Sequence, residues 1–519
     1  MLVKCRDMQG NGFRGIIIGI ILVVLCFVVG AQAADSAVSS LAIVVAICGL
    51  FGMLVFGSKS WMLIFLLPPL LELLPLPPSI ARIPKEFYAA GLVLAYWIVL
   101  WGMGHVKMRW RALGLMDLIV LLLSCIMVAA YIRRPVAVMF LGMENDNIGG
   151  YEYVQFVMGL ICYIAFSVIP MPLKQLTRVL NISVIVKLCV TFVLLILVVT
   201  GVRGAAVDVA EAVSSSGGRL YGIHRYGSPF CIAIFSYFSL RSILINPILM
   251  LGSAFSVVVV LLAGSRNYFG TMALTVGALC VIKRETLIAM CIGAFAYIML
   301  LVFSLGGALN DLPVSVQRIC AMLPGVQVSS HAQKDGNTTW EWREELWELA
   351  WDKRTGYIKD YVFGDGYGQS LSSMERRHRS LMRGDYVDGQ DLDEFAVAGQ
   401  WHHGVITAIH RIGYVGLSVV VSLIVVSLYY LFVVCAAWRG SPLFKPLMFY
   451  VVSISVLPLT FVWGGSAELS LHFAQFAIIK MAYCMAREQG RLKPLFQRHK
   501  YQPLMIQEYG DRVHAPQGW

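Results

Sequence analysis

The sequence predicts an all-α polytopic membrane protein of about 14 transmembrane helices with one large, partly helical extracytoplasmic loop. Three observations predict it. Of 519 residues, 58% are hydrophobic and only 14% charged, against about 25% charged in a soluble globular domain. Apolar runs of roughly 18 residues or more recur from end to end, each long enough to cross about 30 Å of hydrocarbon. The runs are continuous rather than alternating. A backbone in lipid must satisfy its own hydrogen bonds, so they read as helices and not as the strands of a barrel.

Charge supplies the orientation. The net charge is +11, but about half of the acidic residues lie between Leu305 and His402. The basic excess therefore belongs to the other loops and tails, as the positive-inside bias expects. It is not gathered on one soluble domain, which argues against a nucleic-acid partner. The 12 cysteines are scattered, most of them inside apolar runs. Only Cys320 falls in the large loop, so no disulfide within that loop and no CxxC pair is expected.

The elements follow in order. Lys4, Arg6 and Arg14 precede an apolar stretch, Gly15 to Gly30, ending in Ala31-Gln32-Ala33, which resembles a signal peptide with its cleavage site. The stretch is long for one and another span follows at once, which favours an uncleaved crossing from Phe13 to Ala33. A second run, Ala37 to Phe56, returns to Lys59. Pro68, Pro69, Pro75, Pro77 and Pro78 then mark an outward crossing with a bent or interfacial end. Phe87 to Val106 returns to the basic cluster Lys107, Arg109 and Arg111, a strong cytoplasmic marker. Leu115 to Ile132 goes out, and Tyr153 to Met171 returns to Lys174 and Arg178. Leu180 to Thr200 leads to the polar turn Gly201–Tyr226, and the next helix returns to Arg241. Pro247 to Ala263 goes out, Phe269 to Ile282 returns to Lys283 and Arg284, and Leu287 to Leu305 enters the large loop. Val405 to Val434 comes back to Arg439, and a final hairpin precedes a basic tail from Arg487. Four regions result: membrane helices over 1–304, the large loop over 305–403, membrane helices over 404–487 and a cytoplasmic tail over 488–519. Both termini fall inside, and no internal repeat is visible.

Three polar patches fall on the predicted outer face. In Gly217–Pro229, glycines surround Arg219, His224 and Arg225; glycine lets a backbone approach a ligand closely, and arginine grips phosphate with two parallel donors. A solvated loop at the headgroups explains that patch equally well. In Gly264-Ser265-Arg266, an apolar run ends on an arginine, which either snorkels or faces inward as a functional charge. In the large loop, a helix is expected near Asn337-Thr338-Thr339, with Arg343 one turn before Trp347 and an apolar stripe through Leu346, Leu349 and Ala350. Its bland reading is an amphipathic helix on the membrane surface. The glycine turn Gly364-Asp365-Gly366-Tyr367-Gly368 follows; without a flanking strand and helix it is not a nucleotide loop. Trp401-His402-His403-Gly404 closes the loop. Adjacent histidines point to different faces of a helix, so at most one is expected to act, and the chain has no HExxH or paired-cysteine metal set.

The order and spacing of these segments resemble the O-antigen ligase/polymerase superfamily, membrane glycosyltransferases working on undecaprenyl-diphosphate-linked glycans. Arg219-Leu220-Tyr221-Gly222 before Pro229 is similar to its Arg-x-x-Gly…Pro segment. Ser265-Arg266 is similar to its Ser-Arg at the end of an apolar helix, and Arg343-x-x-x-Trp347 with Gly364-x-Gly366-x-Gly368 to its loop helix and glycine turn. His402, with Gly413 and Gly416 downstream, is similar to its loop-closing histidine, His403 standing where the family often has Asn. The match covers roughly residues 215 to 420; the first six crossings match in hydropathy alone. The resemblance implies inverting, metal-independent transfer without a cofactor. Arg219, Arg266, Arg343 and Arg225 would hold the donor's diphosphate and stabilise the charge that grows on it. His402 would deprotonate an acceptor hydroxyl, and Gly366, Tyr367 and Trp347 would contact glycan. The implied partners are the lipid bilayer, the lipid-linked glycan donor, a glycan or lipid-core acceptor and other polysaccharide assembly proteins, at a bacterial inner membrane. Ligase and polymerase stay unseparated. The alternative, a glycolipid transporter or flippase, expects ionisable residues deep within spans and paired broken helices.

Overall fold

The computed structural model describes residues 53–73, 83–135, 150–199, 223–367, 392–397, 399, 401–463 and 472–492. Among them every regular element is a helix, and six helices are long and apolar enough to cross a membrane. A lipid bilayer is the environment such helices fit. The expected first crossing, most of the second, Arg219, Gly368 and the basic tail lie outside the described residues.

The N-terminal helices are α1 (Leu63–Leu71), α2 (Lys85–Gly102), α3 (Leu115–Arg133), α4 (Tyr151–Val168) and α5 (Leu173–Val199). They share one apolar core with the C-terminal helices α14 (Gly404–Trp438), α15 (Phe444–Val451), α16 (Leu457–Trp463) and α17 (Phe473–Glu488). Between them in sequence come α6 (His224–Tyr237), α7 (Leu240–Ile245), α8 (Pro247–Leu262), α9 (Arg266–Lys283) and α10 (Thr286–Leu305). Of these, α6, α8 and α9 pack through smaller clusters around Val259 and Val260. Local chemistry sets the boundaries. The Asn246 side chain accepts hydrogen bonds from the Ile248 and Leu249 amides at 3.0 and 3.4 Å, and Pro247 needs no donor partner in the first turn of α8. The Asp117 carboxylate reaches back to the Gly114 amide at 2.8 Å and starts α3. Helix α10 presents Phe295, Met290 and Ile298 outward, which suits a surface whose solvent is acyl chains.

The described part of the expected large loop folds as helices: α11 (Val314–Cys320), α12 (Ser330–Trp351) and α13 (Leu392–Val397). Two expectations there are corrected. Helix α12 begins at Ser330 rather than near Asn337, because the Ser329 hydroxyl accepts from the Ala332 amide at 3.4 Å and supplies the cap earlier. Helix α14 is not continuous, for Gly413 stands at φ 68°, ψ −175° and breaks it. At the break the carbonyls of His410 and Arg411 accept instead from the Asp365 and Gly366 amides, at 2.5 and 2.9 Å. The amides of Tyr414 and Val415 donate to the carbonyls of Tyr361 and Val362, at 2.9 and 3.2 Å. Two helical hydrogen bonds are thus exchanged for four to the loop. The approach demands glycine: a Cβ on Gly413 would stand 2.1 Å from the Val362 carbonyl oxygen, and one on Gly364 2.4 Å from the Ile412 nitrogen. Arg133 and Arg134, ending α3, clamp the same segment. Arg133 donates to the Phe363 carbonyl at 2.6 Å and Arg134 lies 2.6 Å from Asp365 Oδ1.

At the other end of α3, Asp117 meets Lys480 of α17, which is 2% exposed. Tyr163 donates to the same carboxylate at 2.9 Å, and Lys480 also donates to Ser167 at 3.0 Å. This ion pair ties α3, α4 and α17 together. Among the described residues, nine cysteines are free thiols, and Cys320 is buried in the loop.

Candidate active site at the loop–bundle junction

Helix α12 lays its apolar stripe on a small core made by Leu346, Ala350, Ile358, Ala396, Trp401 and Ile406. That packing turns Trp342, Arg343 and Trp347 toward the segment entering α14. The Trp342 ring stands edge-on to His402 with centroids 5.5 Å apart, and Phe395 closes another side at 5.4 Å. Trp347 stands edge-on to His403 at 5.0 Å and donates its indole N–H to the Trp401 carbonyl at 2.8 Å. The two histidines therefore occupy separate aromatic niches.

Charge is concentrated beside them. Burial depresses the Arg343 guanidinium below its ordinary value, and the like charge of Arg266 adds to the depression. Burial also lowers the His402 imidazole, and here Arg343 is the second cause. Arg343 is thus within electrostatic reach of both Arg266, the first residue of α9, and His402. His403 is lowered by burial.

The polar atoms of this cluster are unusual. Arg343 Nε, Trp342 Nε1 and His403 Nδ1 are all buried, and none has a hydrogen-bond partner. Two of them can only donate. A buried donor left unpaired costs free energy, and native structures leave few such groups without a reason, a bound ligand being one. The arrangement suits a ligand that presents oxygens. Trp342 escapes the sequence reading because an indole in an aromatic-rich helix reads as core, while His403 is named there only as the neighbour of His402.

The remaining expected site residues stand elsewhere. Arg225 opens α6 and belongs to a second charged group, acting on Glu72 with Lys187 and Lys85. A cavity of about 310 Å³ between α1, α5, α6 and the C-terminal helices is lined by Phe65, Pro69, Pro229 and Ser453, with Glu86 and Lys187 as its charged groups. Gly366 and Tyr367 serve the dock of loop on bundle. The Gly366 amide bonds the Arg411 carbonyl, while Tyr367 meets Tyr153 edge-on at 5.1 Å beneath the Arg411 guanidinium at 5.0 Å. Trp347 faces His403 and Trp340, the latter at 5.7 Å. Trp340 in turn stacks on Trp463 at 5.8 Å, both partly exposed. Among the described residues, no group of three or more His, Cys, Asp or Glu side chains is placed to hold a metal ion.

No known family model and no curated protein matches the chain. Its chemistry is accordingly argued from the cluster itself.

Proposed function

We propose that the chain is a membrane glycosyltransferase of the O-antigen ligase/polymerase type, moving an undecaprenyl-diphosphate-linked glycan onto an acceptor sugar at the outer face of a bacterial inner membrane. One observation carries the reading: Arg343 lies within reach of both Arg266 and His402, and buried N–H groups beside it lack acceptors. With about 14 crossings and both termini inside, this end of the bundle faces outward.

In the proposed reaction neutral His402 takes the proton from an acceptor hydroxyl. The hydroxyl oxygen attacks the anomeric carbon of the donor, and the carbon–oxygen bond to the diphosphate breaks. The electron pair stays on the departing diphosphate, where Arg266 and Arg343 balance the growing charge. Depression of the His402 imidazole keeps it neutral, as a base requires. The lipid chain would lie among the helices, and the 310 Å³ cavity offers such a space. Trp340 and Trp463, exposed and reached from His403 through the Trp347 ring, suit sugar stacking better than the docked Tyr367.

The test substitutes His402→Ala and Arg266→Ala in cells and reads the length distribution of surface glycans. Loss of long glycan at normal membrane abundance is expected, a transfer rate lower by about 10²–10³ for the arginine. Long glycan persisting in both variants overturns the reading in favour of transport.

A further inference from the structure

We infer that Trp401 and His410 are positioning residues that hold the His402 imidazole in its working place; the inference rests on the transfer chemistry proposed above. His402 has φ +48°. That is left-handed backbone, which a non-glycine residue keeps only where its neighbours impose it. Both neighbours do so here. Trp401 is fully buried, its carbonyl taking the Trp347 indole N–H at 2.8 Å. Its own indole N–H donates to His410 Nδ1 at 2.9 Å. On the other side, the His403 carbonyl accepts from the amide and the hydroxyl of Thr407, each at 2.9 Å. Gly404 then lies so close to α16 that a Cβ there would meet the Phe461 carbonyl oxygen at 2.0 Å.

His410 ties this clamp to the grafted loop. Because Nδ1 accepts from Trp401, the neutral ring carries its proton on Nε2. That nitrogen lies 3.8 Å from Asp365 Oδ2. Asp365 is itself fixed, by the Lys359 amide at 2.7 Å and by Arg134 at 2.6 Å. The Asp365 amide also donates to the His410 carbonyl at 2.5 Å, so a chain of contacts runs from the end of α3 through Asp365, His410 and Trp401 to the backbone of His402. None of the intermediate groups needs to touch substrate. Small errors in the placement of a catalytic group cost rate steeply, about 10²-fold for a displacement near 1 Å.

The experiment uses the full-length protein in lipid vesicles with an isoprenoid-diphosphate oligosaccharide donor and a soluble sugar acceptor. Trp401→Phe keeps the packed ring and loses only the N–H. It is expected to lower kcat about tenfold to a hundredfold with the donor KM unchanged. His410→Leu does the same, while His410→Asn, whose amide oxygen can accept the indole N–H, restores much of the rate. On a His402→Ala background both losses vanish, because groups acting through one residue are not additive. Trp401→Phe at the wild-type rate, or a loss that multiplies that of His402→Ala, overturns the inference and leaves the transfer reading standing. Full activity in His402→Ala alone overturns both. Should His410→Leu fail to fold, the Trp401→Phe pair of measurements decides the matter.

Discussion

Two regions of the molecule bury polar groups in opposite ways. At the start of α3, Asp117 and Lys480 are saturated: the carboxylate meets the ammonium, the Tyr163 hydroxyl and the Gly114 amide, and the ammonium also meets Ser167. At the junction of α12 with α14, Arg343 Nε, Trp342 Nε1 and His403 Nδ1 are buried with no partner. A saturated pair repays the desolvation of its charges within the fold and needs nothing further. An unsaturated cluster keeps that cost until something binds. The contrast sets a paired structural pin against a cluster with donors to spare.

The sharpest way to break this contrast acts on the pin. Lys480→Met leaves the Asp117 carboxylate buried beside Tyr163 without its cation. It is expected to destabilise the fold by about 3–5 kcal/mol, read as a lowered Tm in detergent. Glycan transfer per folded molecule should hold. Loss of transfer with an unchanged Tm would make the pin a functional site and dissolve the distinction.

At the junction the expectation reverses. Arg343→Ala should slow transfer by about 10²–10³, while Tm stays the same or rises, since a half-buried cation facing Arg266 is relieved. A fallen Tm with normal turnover would show Arg343 to be a packing residue.

The mildest effect sharpens the electrostatics within the site. Burial and then Arg343 hold the His402 imidazole below its ordinary value. A general base works in its neutral form, so the acid limb of kcat/KM should lie below pH 6.5, the ordinary histidine value. Arg343→Gln removes the like charge, and the limb should move up in pH. A limb that does not move, followed in a series of buffers of constant ionic strength, separates Arg343 from His402.

Much of the fold was legible because hydrocarbon imposes a length on every crossing. The starts and ends of α3, α8 and α10 fall within a residue or two of where hydropathy places them. Of the site, Arg266, Arg343 and His402 were legible as polar residues in fixed order against an apolar background. What stayed hidden depends on distance in space. Asp117 and Lys480 lie 363 residues apart, each a lone charge in an apolar run. Trp401 and His410 stand nine residues apart, and nothing in the sequence joins the indole to the imidazole. Gly413 is noted downstream of His402, but nothing local says that a loop about 50 residues upstream will fill the gap it opens.

That gap also fixes a height. Helix α14 has 35 residues and turns aside at Gly413, so roughly 25 follow the kink and rise about 37 Å at 1.5 Å each. They alone exceed the oily layer, about 30 Å deep. The short arm before the kink is surplus to the crossing and adds some 13 Å by the same rise. It is spare length that carries the His402 segment to the loop rather than through the oily layer.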